Sequence, residues 1–436
     1  MSALRAPGFP EQDIRRRARE GAAAVFPPAG EYGITVFGAD TTAPRDGIDR
    51  YRLVPPVFMP RRLEKLIDLG REPVYADVAL ESSFGGLHSP LPMFVSALGS
   101  TKAASAGAAL ARQAGRAALP MVIGENVAPV SGLRAGWHMS LLERITAYLE
   151  ELPAADGGLV VQQSTEDANA EVWNSVYTDP AVLGLMESGR LAFELKVGQG
   201  AKPGLGGLTM VDDDTAQRLA EQYVMKRLAP GTVLRASSPG TFTTEILRQQ
   251  VHMMRNNYPR ARCWVKLHPG RDIAQAAVVA WQAGADAVTV DGAEGGTGLA
   301  PSVFLGDVGL PLHECLRRLG QLRRPEQPGQ LGQPGQPAGS LLANGRVADG
   351  ARAVKLLALG ARAVGIGRAA LVAVDEDPDR GLLRFTESVA LEMQLLISAL
   401  GKYAATDPGP EDLWHPGEPG EPAAALARPE PMETLA

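Results

Sequence analysis

Cysteine is nearly missing from this sequence: 436 residues contain two, Cys263 and Cys315. Two thiols build no disulfide framework, and alone they cannot ligate an iron–sulfur cluster. So low a count suits a reducing, cytoplasmic setting. Long apolar runs are missing too. None approaches the ~20 residues that cross a bilayer, and no apolar signal core follows Arg15, Arg16 and Arg17. Positive charge is in deficit, with 43 Lys and Arg against 49 Asp and Glu. That balance offers nothing to nucleic acid or to an anionic membrane, and neither is expected as a partner. His138, His252, His268 and His313 show no metal-ligand spacing, so no metal site is expected.

What the chain has in quantity is glycine, 49 residues, on a background that is 45% hydrophobic. The two meet in a repeated unit. Ala287 to Val290 reads as a buried strand, and Gly292, Gly295, Gly296, Thr297 and Gly298 follow in a loop. Leu341, Leu342 and Ala343 run into Asn344, Gly345 and Arg346, and Ala363 and Val364 run into Gly365, Ile366, Gly367 and Arg368. Glycines directly after a strand leave backbone N–H groups bare at its carboxyl end, where a phosphate can be cradled. Repetition of that device points to an α/β fold, a (β/α)8 TIM barrel with an N-terminal extension, a C-terminal tail and a phosphorylated cofactor at its C-terminal face.

Strands are predicted over 93–97, 118–123, 159–162, 191–196 and 263–267. Helices are predicted over 103–114, 215–228, 243–256 (opened by a threonine cap) and 272–283, the last closed by Gly284. Residues 1–75 are expected to form an arm or cap, 76–415 the barrel, and 416–436 a disordered tail. The Gln-, Pro- and Gly-rich stretch 320–339 lies between a helix and a strand and reads as a mobile insertion in a barrel loop. The segment Arg16 to Arg19 is expected to be a solvated helix face.

The stretch from Lys196 to Gly207 is the most distinctive. Lys196, Gln199 and Lys202 stand in it among five glycines and a proline. Glycine lets a loop approach a planar ring closely, and lysine brings charge to an anion. This segment resembles the flavin-domain signature of glutamate synthase, including short stand-alone members such as the N-methylglutamate synthase flavin subunit. Ser96, Ala97 and Leu98 resemble that family's first flavin-contacting strand end, and Val122 to Asn126 its Thr-Gly-Glu-Gly turn. Leu234 to Gly240 resembles its Arg-x-Ser-x-Pro-Gly segment, and Val265, Lys266 and Leu267 a later flavin-contacting strand. The resemblance runs over 91–413. It implies FMN, with Lys266 at the pyrimidine edge of the ring, where positive charge stabilises the reduced form. Ser96, Ala97, Lys196 and Gln199 would also contact the cofactor. Gly295, Gly296, Thr297, Gly298, Gly345, Gly365 and Gly367 would line its phosphate side, with Arg368 paired to the phosphate. Gln199, Lys202 and Arg235 match positions near the family's 2-oxoglutarate site and would bind a carboxylate. Glu125 matches an acid near the reacting centre. His268 directly follows the Lys266 strand and is a candidate acid or base.

Departures from the family pattern narrow the expectation. Leu205 and Leu208 stand where the family has an acid and an amide. Apolar side chains cannot hydrogen-bond a substrate, so a different one is expected. Glu294 occupies the acidic position of the family's Asp-Gly-Gly loop, and Thr241 to Thr244 replaces a Pro-Pro-Pro-His-His segment. No amidotransferase domain is expected to accompany the barrel. Leu400 to Ala405 lacks the cysteines with which relatives hold a cluster. The resemblance thus implies an FMN-dependent oxidoreductase moving hydride between flavin N5 and the alpha carbon of an amino or imino acid. Its partners would be a small-molecule carboxylate and an outside electron donor or O2, with a homo-oligomer left open. An FMN-dependent isomerase or lyase with no net redox change, and a non-catalytic flavin-binding subunit, are the alternatives.

Overall fold

A computed structural model describes residues 4–25, 46–98, 107–124, 137–165, 171–198, 209–211, 213–221, 223–236, 242–295, 302–321 and 339–416. At its centre eight parallel strands close into a barrel. They are β1 (Met93–Leu98), β2 (Met121–Ile123), β3 (Leu159–Ser164), β4 (Leu191–Lys196), β5 (Arg262–Leu267), β6 (Ala287–Asp291), β7 (Ser340–Asn344) and β8 (Ala363–Ile366). Each pairs with the next in the chain, and β8 returns to β1.

Alternation along the strands sorts side chains into two cores. Val95, Val161, Phe193, Val265, Val290 and Val364 belong to the large apolar layer shared with the surrounding helices. Phe94, Val122, Val160, Ala192, Trp264, Ala287, Leu342 and Ala363 form a separate cluster inside the barrel. The hairpin Ser82–Phe84 and Leu87–Ser89 adds Phe84 and Leu87 to that inner cluster, plugging the amino end of the strands. Gly85 at its turn has φ +57°, and a Cβ there would stand 2.5 Å from the Trp264 ring. The Trp264 indole N–H donates to the Gly85 carbonyl at 2.9 Å. Two residues further along the same strands, the interior becomes polar.

The predicted strands and helices recur with shifted ends, with one exception. Residues 215–228 do not form one helix. A short helix, Asp213–Leu219, gives way to strand Val224–Ala229, which pairs with Thr232–Ala236 and through it with Thr209–Val211. Pro230 and Gly231 turn the chain, Gly231 at φ +70°. The β-branched residues Val224, Thr232 and Val233 favour the extended form. The apolar spacing that suggests a helix is therefore partly the alternation of a strand.

The helix Glu11–Glu20 packs on helices Arg368–Glu376 and Gly381–Ala399, burying Ile14 and Ala18. Of Arg16 to Arg19, expected as a solvated face, Arg16 and Arg19 keep side chains 42% and 51% exposed, whereas Arg17 does not, and Arg15 before them is buried. Arg15 is only 8% exposed and donates to Asp375 Oδ2 at 2.8 Å and to Glu376 Oε2 at 3.0 Å. Arg17 pairs with Glu392 at 2.6 Å. Long guanidinium side chains can cover apolar surface when acids receive their heads. Strand Arg52–Leu53 pairs with Leu413–Trp414 near the other end of the chain. Cys263 and Cys315 are free and buried. No helix among the described residues is long and apolar enough to cross a membrane.

Candidate functional site

The carboxyl ends of the strands enclose charge. Glu194 on β4, Lys266 on β5 and Asp291 on β6 are 1%, 5% and 3% exposed. The strand period puts each two or four residues past an apolar partner in the plug: Ala192, Trp264 and Ala287. The Lys266 ammonium stands 3.2 Å from Asp291 Oδ2. Glu194 has uncharged partners instead: Gln162 Nε2 donates to its Oε2 at 2.5 Å, and the Thr289 hydroxyl lies 2.9 Å from its Oε1. Burial pushes the Glu194 carboxyl above the usual range, with Lys266 opposing the shift. Asp291 Oδ1 and Gln162 Oε1 are buried without a hydrogen-bond partner. Unsatisfied polar atoms gathered in one enclosure mark a place built to meet another group.

Beside this trio, Ser96 Oγ donates to Asn344 Oδ1 at 2.9 Å. The pair explains Gly365: a Cβ there would lie 1.6 Å from Asn344 Oδ1 and 2.3 Å from Ser96 Oγ. Gly367 differs. A Cβ on it would stand in ordinary contact, 3.7 Å from Ser96 Cβ and 3.9 Å from Leu98 Cδ2, so packing among the described residues does not demand glycine at the start of helix Arg368–Glu376.

Arginines collect on the same side. Arg368 donates to the Glu294 carbonyl at 2.6 Å, and its guanidinium lies 4.5 Å from the centre of the Phe9 ring. Burial, then Arg346 and Arg352, holds its pKa below the usual arginine value. Arg346, at φ +54°, donates to the Gly8 carbonyl at 2.7 Å. Arg352 bonds the Gly345 carbonyl at 2.7 Å and Asp46 Oδ1 at 2.9 Å, leaving its buried Nη2 without a partner. Glu294 accepts from the Leu312 N–H at 2.9 Å, and burial raises its pKa.

His268 follows β5, largely enclosed, its Nδ1 buried and unpartnered. It lies against Gly198, where a Cβ would stand 2.8 Å from the imidazole. Burial lowers its pKa, and Asp272 opposes this, which leaves a neutral ring at pH 7. A neutral imidazole with an open nitrogen accepts protons rather than supplying them. Arg235 lies on strand Thr232–Ala236, outside the barrel strands, its guanidinium 4.3 Å from the Tyr223 ring centre. Ala97 and Lys196 are half-buried at the ends of β1 and β4. Gly295 closes a turn onto the Gly292 carbonyl at 2.9 Å. Glu125, Gln199, Lys202, Gly296, Thr297 and Gly298 lie outside the described residues.

Gln162, Glu194, Thr289, Asp291, Asn344 and Arg352 escaped the sequence reading. For those on strands the signal was a polar residue repeating the inward parity of an apolar strand: Val160 then Gln162, Ala192 then Glu194, Ala287 then Thr289 and Asp291; Arg352, on helix Gly350–Ala358, carried no such signal. A strand covered on both faces has no solvent side, so such residues must face a built polar interior.

Barrels of this kind, with a polar carboxyl-end interior, form the class to which the fold assigns the chain. A flavocytochrome b2 variant with sulfite bound superposes with a TM-score of 0.52 at 15% identity, covering 92% of this chain and 82% of that one. The (S)-mandelate dehydrogenase from Pseudomonas putida, a soluble mutant, gives 0.52 at 17% identity, covering 93% and 99%. These likenesses establish the barrel architecture. Residues 184–376 match the family model for the conserved region in glutamate synthase. Through that region the chain is similar to the glutamate synthases. The archaeal-type glutamate synthase [NADPH] of Dehalococcoides mccartyi is 34% identical over 193 residues, 43% of this chain and 36% of that protein. A glutamate synthase large subunit-like protein of Rhizobium meliloti is 33% identical over 250 residues, 56% of this chain and 49% of its own length. The chain thus spans between a third and a half of these relatives.

Proposed function

We propose that the chain is an FMN-dependent oxidoreductase acting on an amino or imino acid, or a related small carboxylate. The observation that carries this reading is Lys266, an ammonium enclosed at the carboxyl end of the barrel beside unsatisfied polar atoms. The residues present suit the cofactor. A glycine at 367 that packing does not demand, a helix amino terminus and the nearby Arg368 suit a phosphate. Gly295, Gly345 and Gly365 would line that side, with Gly296, Thr297 and Gly298 joining them by resemblance. Ser96, Ala97, Lys196, Lys266 and Gln199 would hold the ring.

Bound there, FMN would supply hydride transfer at N5. Lys266 would favour negative charge at the ring's pyrimidine edge, and Asp291 keeps that ammonium fixed. The neutral His268 would take a proton from the substrate amine, with Glu125 the second candidate. Arg235, Lys202 and Gln199 would bind the substrate carboxylate. The electron partner is proposed to lie outside the barrel, as a nicotinamide, a flavoprotein or O2. A reducing cytoplasmic location suits two buried free thiols.

The test is direct. Purified protein is expected to be yellow, or to take up added FMN stoichiometrically. Anaerobic mixing with a panel of amino and oxo acids is then expected to bleach the flavin for the true substrate class. Colourless protein that ignores excess FMN ends this reading.

A further inference from the structure

Among the described residues the polar layer of the barrel interior holds two acids, Glu194 and Asp291, and one base, Lys266, and the acids are not equivalent. Asp291 takes the direct contact with Lys266, at 3.2 Å. Glu194 is the more deeply enclosed, at 1% exposure, and its two hydrogen-bonding neighbours are an amide and a hydroxyl. If both acids were ionised, the enclosure would carry one uncompensated negative charge. An enclosed charge without its own counter-ion is expensive, and the group takes up a proton instead. The local hydrogen bonding accommodates that proton with the turn of one hydroxyl. Gln162 Nε2 donates to Oε2, and the Thr289 hydroxyl, which donates to Oε1 at 2.9 Å, can turn to accept an O–H placed there.

We propose that Glu194 is a protonated, neutral carboxylic acid at neutral pH, and that it positions Lys266 by not competing with Asp291 for the ammonium. Two acids sharing one ammonium titrate as a unit, and the one with uncharged neighbours keeps the proton. The influences on Glu194 are opposed, and burial prevails. Burial is the largest and favours the neutral form, Lys266 and the hydrogen bonds from Gln162 and Thr289 oppose it, and Asp291 adds to it, with a net upward shift. A neutral Glu194 keeps the enclosure at zero net charge, so the Lys266 charge is not cancelled twice. An anionic group can then approach the carboxyl end without meeting a buried negative layer. Glu194 acts through Lys266 and is a positioning residue. Its role toward a flavin rests on the function proposed above, but its protonation does not.

Infrared spectroscopy of the full chain without added flavin is the first experiment. A protonated carboxyl absorbs above the amide band, and at pH 7 exposed carboxyls are ionised and silent there. A band is expected at pH 7 that Glu194→Gln removes. Glu294, the other carboxyl raised by burial near this end, is separated by Glu294→Gln. Should Glu194→Gln not fold, Thr289→Val serves: it removes the hydroxyl partner and is expected to move the band without abolishing it. No band at pH 7, or one insensitive to both Glu194→Gln and Thr289→Val, overturns the proposal.

The second experiment is FMN titration against pH. Once Glu194 ionises, wild-type affinity is expected to fall by roughly tenfold per pH unit. Glu194→Gln is expected to lack that component while keeping the phosphate's own pH dependence. A Glu194→Gln chain with the wild-type profile overturns the positioning role. The infrared band without any flavin binding overturns the flavin reading and leaves the proton on Glu194 established.

Discussion

Lys266 and Asp291 face one another at 3.2 Å inside the barrel, both almost wholly enclosed. They come from neighbouring strands, and β5 and β6 are in register so that Lys266 sits opposite Thr289, two residues before Asp291. Lys266→Met leaves the Asp291 carboxylate buried without its counter-ion. A loss of about 3–5 kcal/mol in folding stability is expected, together with loss of flavin uptake. Adding Asp291→Asn is expected to restore much of the stability but not the uptake. Urea unfolding and FMN titration of the single and double variants check both parts.

Gly365 and Gly367 separate protein packing from ligand binding. Gly365→Ala drives a methyl into Asn344 and Ser96 and is expected to cost about 1–3 kcal/mol. Gly367→Ala meets no close neighbour, so an unchanged thermal midpoint is expected, with FMN affinity reduced at least tenfold. Thermal unfolding of the two flavin-free variants, beside FMN titration, decides. Equal destabilisation by both would contradict this division.

His268 sets a pH dependence of stability. Burial depresses its folded pKa below 6.5, with Asp272 opposing, so the unfolded chain protonates first as pH falls. Its contribution is complete above pH ~6.5 and is lost as pH drops from there through the folded value. Denaturant midpoints on either side of pH ~6.5 are expected to differ in that direction, and His268→Gln should shrink the difference. A variant with the wild-type pH slope would remove His268 from this role.

Arg15 fastens the amino-terminal helix. It is nearly buried and bonds Asp375 and Glu376 at the end of helix Arg368–Glu376. Arg15→Met is expected to cost about 1–3 kcal/mol through the unpaired acids, and to open 4–25 to limited proteolysis. Unchanged cleavage kinetics would show that Ile14 and Ala18 alone hold the helix.

Much of the barrel could be read from linear pattern. Glycines placed directly after apolar strands, as at Gly292, Gly365 and Gly367, announce βα loops wherever they occur. The polar interior was harder to see. Glu194 within Leu191–Lys196 looks like a defect in an apolar strand until the barrel closes and gives it Gln162, Thr289 and Lys266 as neighbours. The hairpin of Val224–Ala229 and Thr232–Ala236 was misread because short apolar runs satisfy helical and strand spacing alike. The pairing that decides between them lies in another segment, Thr209–Val211.

Sequence by itself determined the strand-and-glycine rhythm, the family signature around Lys196 and Lys266, and the shortage of thiols, because each is written in residues adjacent along the chain. Tertiary structure alone decided which polar groups meet. Lys266 with Asp291, Glu194 with Thr289, and Arg352 with Asp46 join residues 25, 95 and 306 positions apart. Such contacts follow from strand order, inward parity and barrel closure, and these are fixed only when the whole apolar layer packs.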